Sequence, residues 1–260
     1  MKTACELLQW IGLSLAGGLG LYLAVGGIFE VAYYRARRRS DAWRCQPGRR
    51  RSAESRRREI LLGAASVTVA SIASGVFAWC VWRGGCSKLY WSNGAHSVRY
   101  SIASGVAYAV VTDFTLYWGH RLLHTPFLCR AVHRVHHGFT APTAFGATAM
   151  HPFELAMYQT MMALPLFVVP LHAGAVVATV VLAHVQAMAV HSGVALQSWL
   201  PLVVPVKFHD DHHAHFHGNF GHSLIVWDWL FGTLRGDATS SRAARRAGAG
   251  IERDGEAVAR

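Results

Sequence analysis

Long apolar stretches recur along the chain and alternate with shorter polar segments. A helix needs about 20 mainly apolar residues to cross a bilayer. Five stretches reach or approach that length: residues 7–34, 60–82, 98–119, 152–171 and 173–191. A soluble protein with buried helices would not need so many long apolar segments. The pattern therefore predicts an all-α integral membrane bundle of about four to five spanning or hairpin helices.

Two of these stretches need comment. The first is expected to stay as an anchor, because Glu6 offsets Lys2 and the apolar run is longer than the core of a cleaved signal peptide. The fourth contains Pro165 and Pro170, which can kink or shorten it. Whether the fourth and fifth stretches form a fully crossing hairpin stays open.

Basic residues are concentrated between the first two stretches. Eleven arginines lie in residues 35–58, against the two acidic residues Asp41 and Glu54, in a chain of net charge +11. Such clusters can bind nucleic acid, but a short arginine-rich loop between two spans usually marks the cytoplasmic side. We predict a cytoplasmic loop with no nucleic-acid partner, and attraction to anionic headgroups as a secondary role.

This loop also predicts the side on which the histidines lie. If each stretch crosses once, the third returns to the cytoplasmic face, and the hairpin of the fourth and fifth begins and ends there. The charge rule makes no use of the histidines, yet it gathers their clusters on one side. The prediction is a cytoplasmic, histidine-rich helical cap on the membrane bundle.

Three histidine clusters carry the candidate chemistry. Their spacings are H-x3-H, then H-x2-H-H twice, so each would converge on one face of a helix. Neutral imidazole is a good ligand for iron, zinc, copper and nickel. Eight imidazoles are too many for one ion and suit two, while their division between two ions stays open. The ligands predicted from these clusters are His120, His124, His133, His136, His137, His209, His212 and His213.

Residues near the membrane ends are candidates for related roles. His191 follows the fifth stretch on the side of the clusters and is a further predicted ligand. His184 lies two turns deeper, where an ionisable residue is a functional candidate by default. Asp113 shares a helical face with His120 and is predicted to hydrogen-bond a ligand histidine, with a nearby tyrosine or tryptophan as the alternative partner.

Three more residues stand beside the clusters. His151 opens the fourth stretch as a ligand, as a group oriented by Glu154, or as a helix-start residue facing headgroups. His217 follows His213 by four residues and is a candidate ligand, whereas His172 is predicted to be structural or solvated.

Missing motifs exclude several reaction classes. The clusters contain no cysteine and few carboxylates, which argues against an iron–sulfur site and a carboxylate-rich soluble di-iron bundle. H-E-x-x-H, the Walker loop and G-x-S-x-G are absent from the sequence. No catalytic residue beyond the metal ligands and no organic cofactor site is predicted.

Seven motifs occur in order in the second half of the chain. D-x3-Y-W-x-H-R-x2-H at 113–124 precedes H-x2-H-H at 133–137, H-P-x-E at 151–154 and H-S-G at 191–193. The series ends with H-x2-H-H at 209–213, N-F-G at 219–221 and W-D-x2-F-G-T at 227–233. This ordered set resembles the fatty acid hydroxylase and sterol desaturase superfamily over residues 108–234, roughly half of the chain.

The resemblance implies a membrane oxygenase with two histidine-bound iron ions, for which zinc is a possible substitute. Its members hydroxylate or desaturate a sterol, fatty acyl or sphingolipid substrate, using O2 and electrons from a cytochrome b5-type or other donor. The family's core histidines correspond to the eight cluster histidines, and His191 matches a further ligand position. Some members carry another histidine where this chain has Ala187, and His184 or His217 is a candidate replacement.

The chain is accordingly divided into anchor helices with the basic loop at 1–97, a catalytic domain at 98–234 and a disordered tail at 235–260. The predicted location is multi-pass in the endoplasmic reticulum of a eukaryote or the plasma membrane of a bacterium, with the site on the cytoplasmic side. The alternative function is a histidine-rich membrane metal transporter or metal-binding protein without oxidase activity. Such a transporter would place its ligands along a path inside the spans rather than at one edge.

Overall fold

A computed structural model describes residues 2–49, 52–92, 94–198 and 200–235. The described residues form nine α-helices: α1 (Lys2–Phe29), α2 (Ala53–Trp82), α3 (Val98–Leu123), α4 (Pro126–Leu128), α5 (Arg134–His137), α6 (Pro152–Ala163), α7 (Ala173–Val190), α8 (Val206–His215) and α9 (Val226–Leu230). Two short strands, β1 (Leu89–Tyr90) and β2 (Leu171–His172), pair in parallel. The predicted all-α class is confirmed. Residues 236–260 of the predicted tail lie outside the described residues.

Irregular helical segments join some of these elements. π-Helical turns follow α1 at Glu30–Arg35 and precede α5 at Cys129–His133. 3-10 turns lie at Ala144–Thr148 and Leu164–Phe167. The turn before α5 shifts the helical phase, which affects where the second histidine cluster points.

Three helical stretches are long and apolar enough to cross a membrane: Lys2–Arg35, Ala53–Trp82 and Ala173–Val190. They correspond to the first, second and fifth predicted spans. Large apolar side chains on their outer faces remain exposed, which suits contact with lipid tails. Examples are Leu8, Leu13, Leu23, Leu61, Val69, Val177 and Leu182. The predicted membrane class is thereby confirmed.

The third and fourth predicted spans differ from these. Helix α3 is long enough at 26 residues, and its outward face carries exposed Val98, Ile102 and Val106. Helix α6 has only 12 residues, or about 18 Å at a rise of 1.5 Å per residue, so it is too short to cross alone. It ends before Pro165, because proline lacks the N–H that would continue the helix.

Small residues let α1 and α2 pack closely. Tyr22 of α1 is fully buried against α2 and the turn Ala144–Thr148, with its hydroxyl 3.1 Å from the carbonyl of Ile60. A Cβ on Gly63 would clash with the Tyr22 hydroxyl oxygen, so only glycine fits there. This contact fixes the turn that leads from the second histidine cluster to α6.

Candidate metal centre

Four parts of the fold bring the histidines together. Helix α3 presents His120 in its last turn and ends with His124 as the C-terminal cap. The π-turn and α5 carry the second cluster, α7 ends at His191, and α8 carries the third cluster. In α8 the i, i+3 and i+4 spacing turns three histidines toward the same interior region.

The histidines form two compact groups. Within each group, one ligand atom per residue lies within 4.8 Å of every other. The first group contains His120, His124, His133, His137 and His212, and the second contains His136, His191, His209 and His213. Together they include all nine histidines that the sequence predicts as ligands. Each H-x2-H-H cluster contributes histidines to both groups. The sequence had left open how these histidines divide between two ions.

Ring contacts within the groups have the spacing of ligands on a shared ion. In the first group, Nε2 of His212 lies 3.1 Å from Nε2 of His124 and of His137. In the second, Nε2 of His191 lies 3.1 Å from that of His136 and 2.9 Å from that of His209. Two nitrogens bound at right angles to one ion, at about 2.1 Å each, are about 3.0 Å apart.

The tautomers of His136 and His191 strengthen this fit. The Nδ1 of His191 is 2.6 Å from the carbonyl of Ala187, and the Nδ1 of His136 is 3.4 Å from that of Ala149. A carbonyl only accepts, so Nδ1 carries the single proton of each neutral ring and Nε2 holds a lone pair. The 3.1 Å contact therefore places two lone pairs face to face. A cation between them would turn this repulsion into attraction.

The buried histidine rings are also uncharged, and some of their nitrogens lack hydrogen-bond partners in the described part of the chain. Burial lowers the pKa of His136 to about 4, and burial with the neighbouring imidazoles holds the pKa of His213 well below its usual value. Neutral imidazole is the form that binds a metal. Both nitrogens of His213 are buried without a hydrogen-bond partner among the described residues, an arrangement that costs about 1–3 kcal/mol per group unless something coordinates it. The donor set therefore fits a pair of imidazole-binding ions such as iron or zinc.

Groups around the rings fix their orientation. Glu154 accepts from Nδ1 of His133 at 2.9 Å, the role that carboxylates take behind metal-bound histidines. The carbonyl of Phe220 is 2.9 Å from Nδ1 of His120, and that of Gly218 is 2.7 Å from Nδ1 of His212. The segment after α8 therefore holds two rings of the first group through backbone atoms.

A buried carboxylate holds that segment in place. Asp228 accepts from the backbone N–H of Phe220 at 2.8 Å and of Gly221 at 2.6 Å, and from the Thr233 hydroxyl at 2.6 Å. The sequence motif contained Asp228, but spacing alone gave it no role, because two of its three partners are backbone groups.

Asp113 takes the alternative partner that the sequence left open. It accepts from the indole N–H of Trp227 at 2.9 Å and from the backbone N–H of Ser223 and Leu224. It therefore makes no hydrogen bond to a histidine among the described residues, so this expectation is corrected. The reason is that Asp113 lies two turns deeper in α3 than His120 and meets the loop before α9 instead.

The remaining histidine candidates lie outside the two groups. His151 caps the start of α6, where its Nδ1 accepts from the N–H of Phe153 at 3.1 Å. His184 is half-buried within α7, and His217 is exposed after α8. None of the three joins the two histidine groups in the described part of the chain. His222 also lies outside the two groups but contacts His120, with ring centroids 5.2 Å apart.

Replacing His172 with alanine is expected to leave metal content unchanged. His172 caps the start of α7 by accepting from the N–H of Gly174 at 3.1 Å and belongs to neither group. Loss of a cap costs about 1 kcal/mol, so stability should fall slightly. Metal analysis by mass spectrometry and thermal unfolding would check both. A loss of bound metal equal to that of a group member would contradict the division of the histidines into these two groups.

A protein-family model matches the second half of the chain. The model of the family described as fatty acid hydroxylase matches residues 105–233. This range begins within α3 and ends after α9, so it contains all nine grouped histidines and the segment that orients them.

Curated proteins of related sequence each match about half of this chain. A methylsterol monooxygenase of Arabidopsis thaliana is 33% identical over 50% of this chain and 51% of its own length. A methylsterol monooxygenase of Aspergillus fumigatus is 34% identical over 57% of this chain and 53% of its own. A lathosterol oxidase of Rattus norvegicus is 31% identical over 58% and 52%. The chain therefore spans about half the length of the curated relatives it matches. No solved structure matches the chain.

Proposed function

Residues 105–233 belong to the fatty acid hydroxylase family, and from this premise we propose that the protein is a membrane-bound, iron-dependent oxygenase acting on a C–H bond of a lipid. The observation that carries the proposal is the convergence of nine histidines into two groups in a chain whose helices include three that are long and apolar enough to span a membrane. Relatives named as methylsterol monooxygenase and lathosterol oxidase support a hydrophobic substrate.

The proposed centre holds two iron ions. The five-histidine group would hold one and the four-histidine group the other, with zinc as a possible substitute. Iron supplies the redox chemistry with O2 that an unactivated C–H bond requires and that amino-acid side chains lack. The chain's own residues present neutral Nε2 lone pairs, while Glu154 and the carbonyls of Phe220 and Gly218 fix the rings.

The surroundings of the centre suit oxidative chemistry. His133, His212 and His213 are fully buried, so bulk water is kept from the rings. Phe220, in the segment between α8 and α9, packs against the first group, 5.0 Å from His124 and 5.7 Å from His120 between ring centroids. These packed walls hold the ligand rings in place during turnover.

The lipid class is proposed to be a sterol or a long acyl chain. The relatives include sterol oxidases and a very-long-chain aldehyde decarbonylase of Oryza sativa, 36% identical over 48% of this chain and 49% of its own length. Hydroxylation and desaturation both begin with removal of one hydrogen from the substrate, and the histidine groups serve either outcome.

Topology and electron supply complete the proposal. The basic loop between α1 and α2 would face the cytoplasm by the positive-inside rule, which puts the end of α3 and the histidine groups on the same side. An external donor of cytochrome b5 type, or an equivalent carrier, would deliver electrons there. The membrane would be the endoplasmic reticulum or the plasma membrane, according to the host. Residues 98–234 would form the catalytic domain and residues 1–97 its anchor.

Metal analysis and turnover test this function together. The full chain would be purified in mild detergent, and its iron and zinc measured by mass spectrometry. It would then be assayed in lipid nanodiscs with O2, a reductase system and candidate sterols and acyl lipids. About two irons per chain with O2-dependent product are expected. Metal flux across vesicles without lipid oxidation would instead support the transporter alternative.

Replacing Glu154 with glutamine is expected to weaken metal binding in the five-histidine group. The amide keeps the size of the side chain but cannot become the carboxylate that strengthens the bond to His133 when a metal is bound. Loss of such an orienting group lowers metal affinity about 10-fold or more. Metal release to a competing chelator would measure it. Glu54→Gln, an exposed position in the first turn of α2, is the matched control and should release metal like the unmodified protein.

A further inference from the structure

An arginine-lined cavity lies beside the histidine groups without belonging to them. Its volume is about 220 Å³. The charged residues along its wall are Arg38, Arg44, Arg49, Arg56 and Asp210. Gly193, two residues after His191, and Asp210, one after His209, form the inner side of the cavity.

The wall carries an excess of positive charge. Arg44 is paired with Asp41 at 3.0 Å and Arg56 with Glu30 at 2.5 Å. Arg38 and Arg49 have no carboxylate within ion-pair distance in the described part of the chain, and Arg49 donates to the amide oxygen of Gln46 at 2.9 Å. Guanidinium groups offer several N–H donors in a fork that suits the oxygens of a phosphate.

Two of the arginines are already held in position. Arg44 lies over the Trp43 ring at 4.3 Å and the Tyr34 ring at 5.0 Å. Arg56 is anchored on Glu30, which is buried at the end of α1. Side chains ordered in this way lose little further entropy when an anion binds.

Asp210 restricts the class of anion that the cavity can bind. The residue is 2% exposed, and its buried Oδ2 has no hydrogen-bond partner among the described residues. In its ionised form Asp210 can only accept hydrogen bonds, so it then repels an anion that offers oxygens alone. A phosphate monoester, whose second pKa is about 6, retains a P–O–H in part of its population near neutral pH and can donate to Asp210. Sulfate has no such proton, and a phosphodiester has none either.

The cavity lies where two helices that are long and apolar enough to cross a membrane meet the loop between them. Tyr34 lies at the end of the stretch Lys2–Arg35, and Arg56 lies in the first turn of Ala53–Trp82. The phosphate of a lipid and a phosphate in solution can both reach this depth.

We propose that this cavity is a binding site for a phosphate monoester group, in which the arginines bind the charged oxygens and Asp210 accepts from the P–O–H. The group would come from a lipid such as phosphatidate or from a soluble phosphate. The proposal rests on the cavity and its charges and does not depend on the proposed oxygenase function.

Binding of inorganic phosphate tests the chemistry. Titration calorimetry of the full chain in phosphate-free detergent should show phosphate binding at least about 10-fold more tightly than sulfate, since a charge-assisted hydrogen bond strengthens binding by that factor or more. Asp210→Asn should reduce that preference, and metal content is measured alongside because the neighbouring residues are histidines of the two groups. Equal binding of phosphate and sulfate by the unmodified protein would overturn the proposal.

Two double variants that each remove two positive charges, one inside and one outside the cavity wall, test where phosphate binds. The double variant Arg38→Gln/Arg49→Gln should weaken phosphate binding about 10-fold or more. Arg39→Gln/Arg57→Gln removes two exposed charges outside the cavity wall and should leave the affinity nearly unchanged. Equal weakening by both pairs would show general attraction to the basic loop and would overturn the assignment.

Vesicles of defined composition distinguish a lipid headgroup from a soluble phosphate as the source of the bound group. Phosphatidate vesicles should bind the protein more tightly than phosphatidylglycerol vesicles of equal measured surface charge, and only the Arg38→Gln/Arg49→Gln variant should lose this difference. That result would identify a lipid headgroup as a ligand. Binding of inorganic phosphate with no preference for phosphatidate would identify the soluble source. An absence of both would overturn the site.

Discussion

Replacing His136 with alanine is expected to abolish the proposed lipid oxidation while leaving the fold intact. His136 belongs to the four-histidine group, and its Nε2 lies 3.1 Å from that of His191. Removing it leaves three imidazoles for the proposed second ion. Loss of an orienting group alone costs about 10- to 100-fold, so loss of a ligand should lower turnover by more than about 100-fold. The variant should retain the ion of the five-histidine group and lose most of the other.

Metal content and turnover must be measured on the same preparation. His215→Ala is the matched control, because His215 is on α8 but exposed and bonded to the carbonyl of Asp211. It should keep both ions and full activity. Turnover of His136→Ala comparable with that of the control would refute the role assigned to the four-histidine group. Loss of all metal together with the fold would be recognised by thermal unfolding.

The largest effect on stability is expected from Asp228→Ala. The carboxylate is fully buried and accepts from two backbone N–H groups and the Thr233 hydroxyl. Its removal leaves two buried backbone N–H groups without an acceptor and leaves the partly buried Thr233 hydroxyl with Tyr117 as its remaining partner, at a cost of about 3–5 kcal/mol in total. For a chain of this size the melting temperature should fall by roughly 10 °C. Because Phe220 and Gly218 orient two histidines through this segment, metal binding by the five-histidine group should weaken as well.

Asp211→Ala gives the control for this prediction. Asp211 is partly exposed and pairs with Lys207 one turn earlier on α8. Exposed pairs contribute about 0–1 kcal/mol, so its loss should barely move the unfolding midpoint. A comparable fall in the melting temperature of both variants would mean that Asp228 does not hold the segment after α8 in place. The melting curves and the metal content of both variants can be recorded in the same detergent.

Much of the candidate centre follows from sequence because its signals are local. The spacings of His209, His212 and His213 fix a helical face whatever the rest of the chain does. The apolar lengths of α1, α2 and α7 likewise follow from the number of residues needed to reach across lipid. All nine grouped histidines were predicted as ligands from these patterns and from the resemblance to a family.

Other features depended on contacts between distant parts of the chain. The end of α6 could not be fixed from the sequence, because the apolar run continues past Ala163, and it was left open whether Pro165 or Pro170 shortens the helix; the structure ends it at Ala163. Asp113 was placed near a histidine by helical phase, but its partners come from residues more than 100 positions away. Backbone carbonyls such as that of Gly218 are present at every residue, so their role in orienting a histidine ring could not be predicted from the sequence.

The sequence by itself determined the helical membrane class, the identity of the grouped histidines and the excess of arginine beside them, since each depends on local period, length or composition. Only the tertiary structure decided how those histidines divide. The helical phase changes at the π-turn Cys129–His133, and the rings of α5 contact those of α8. As a result, His133 and His137 lie in one group and His136 lies in the other. The same packing encloses Asp210 and the arginines in one cavity. Such divisions arise from the angles between packed elements, which no single segment of the chain encodes.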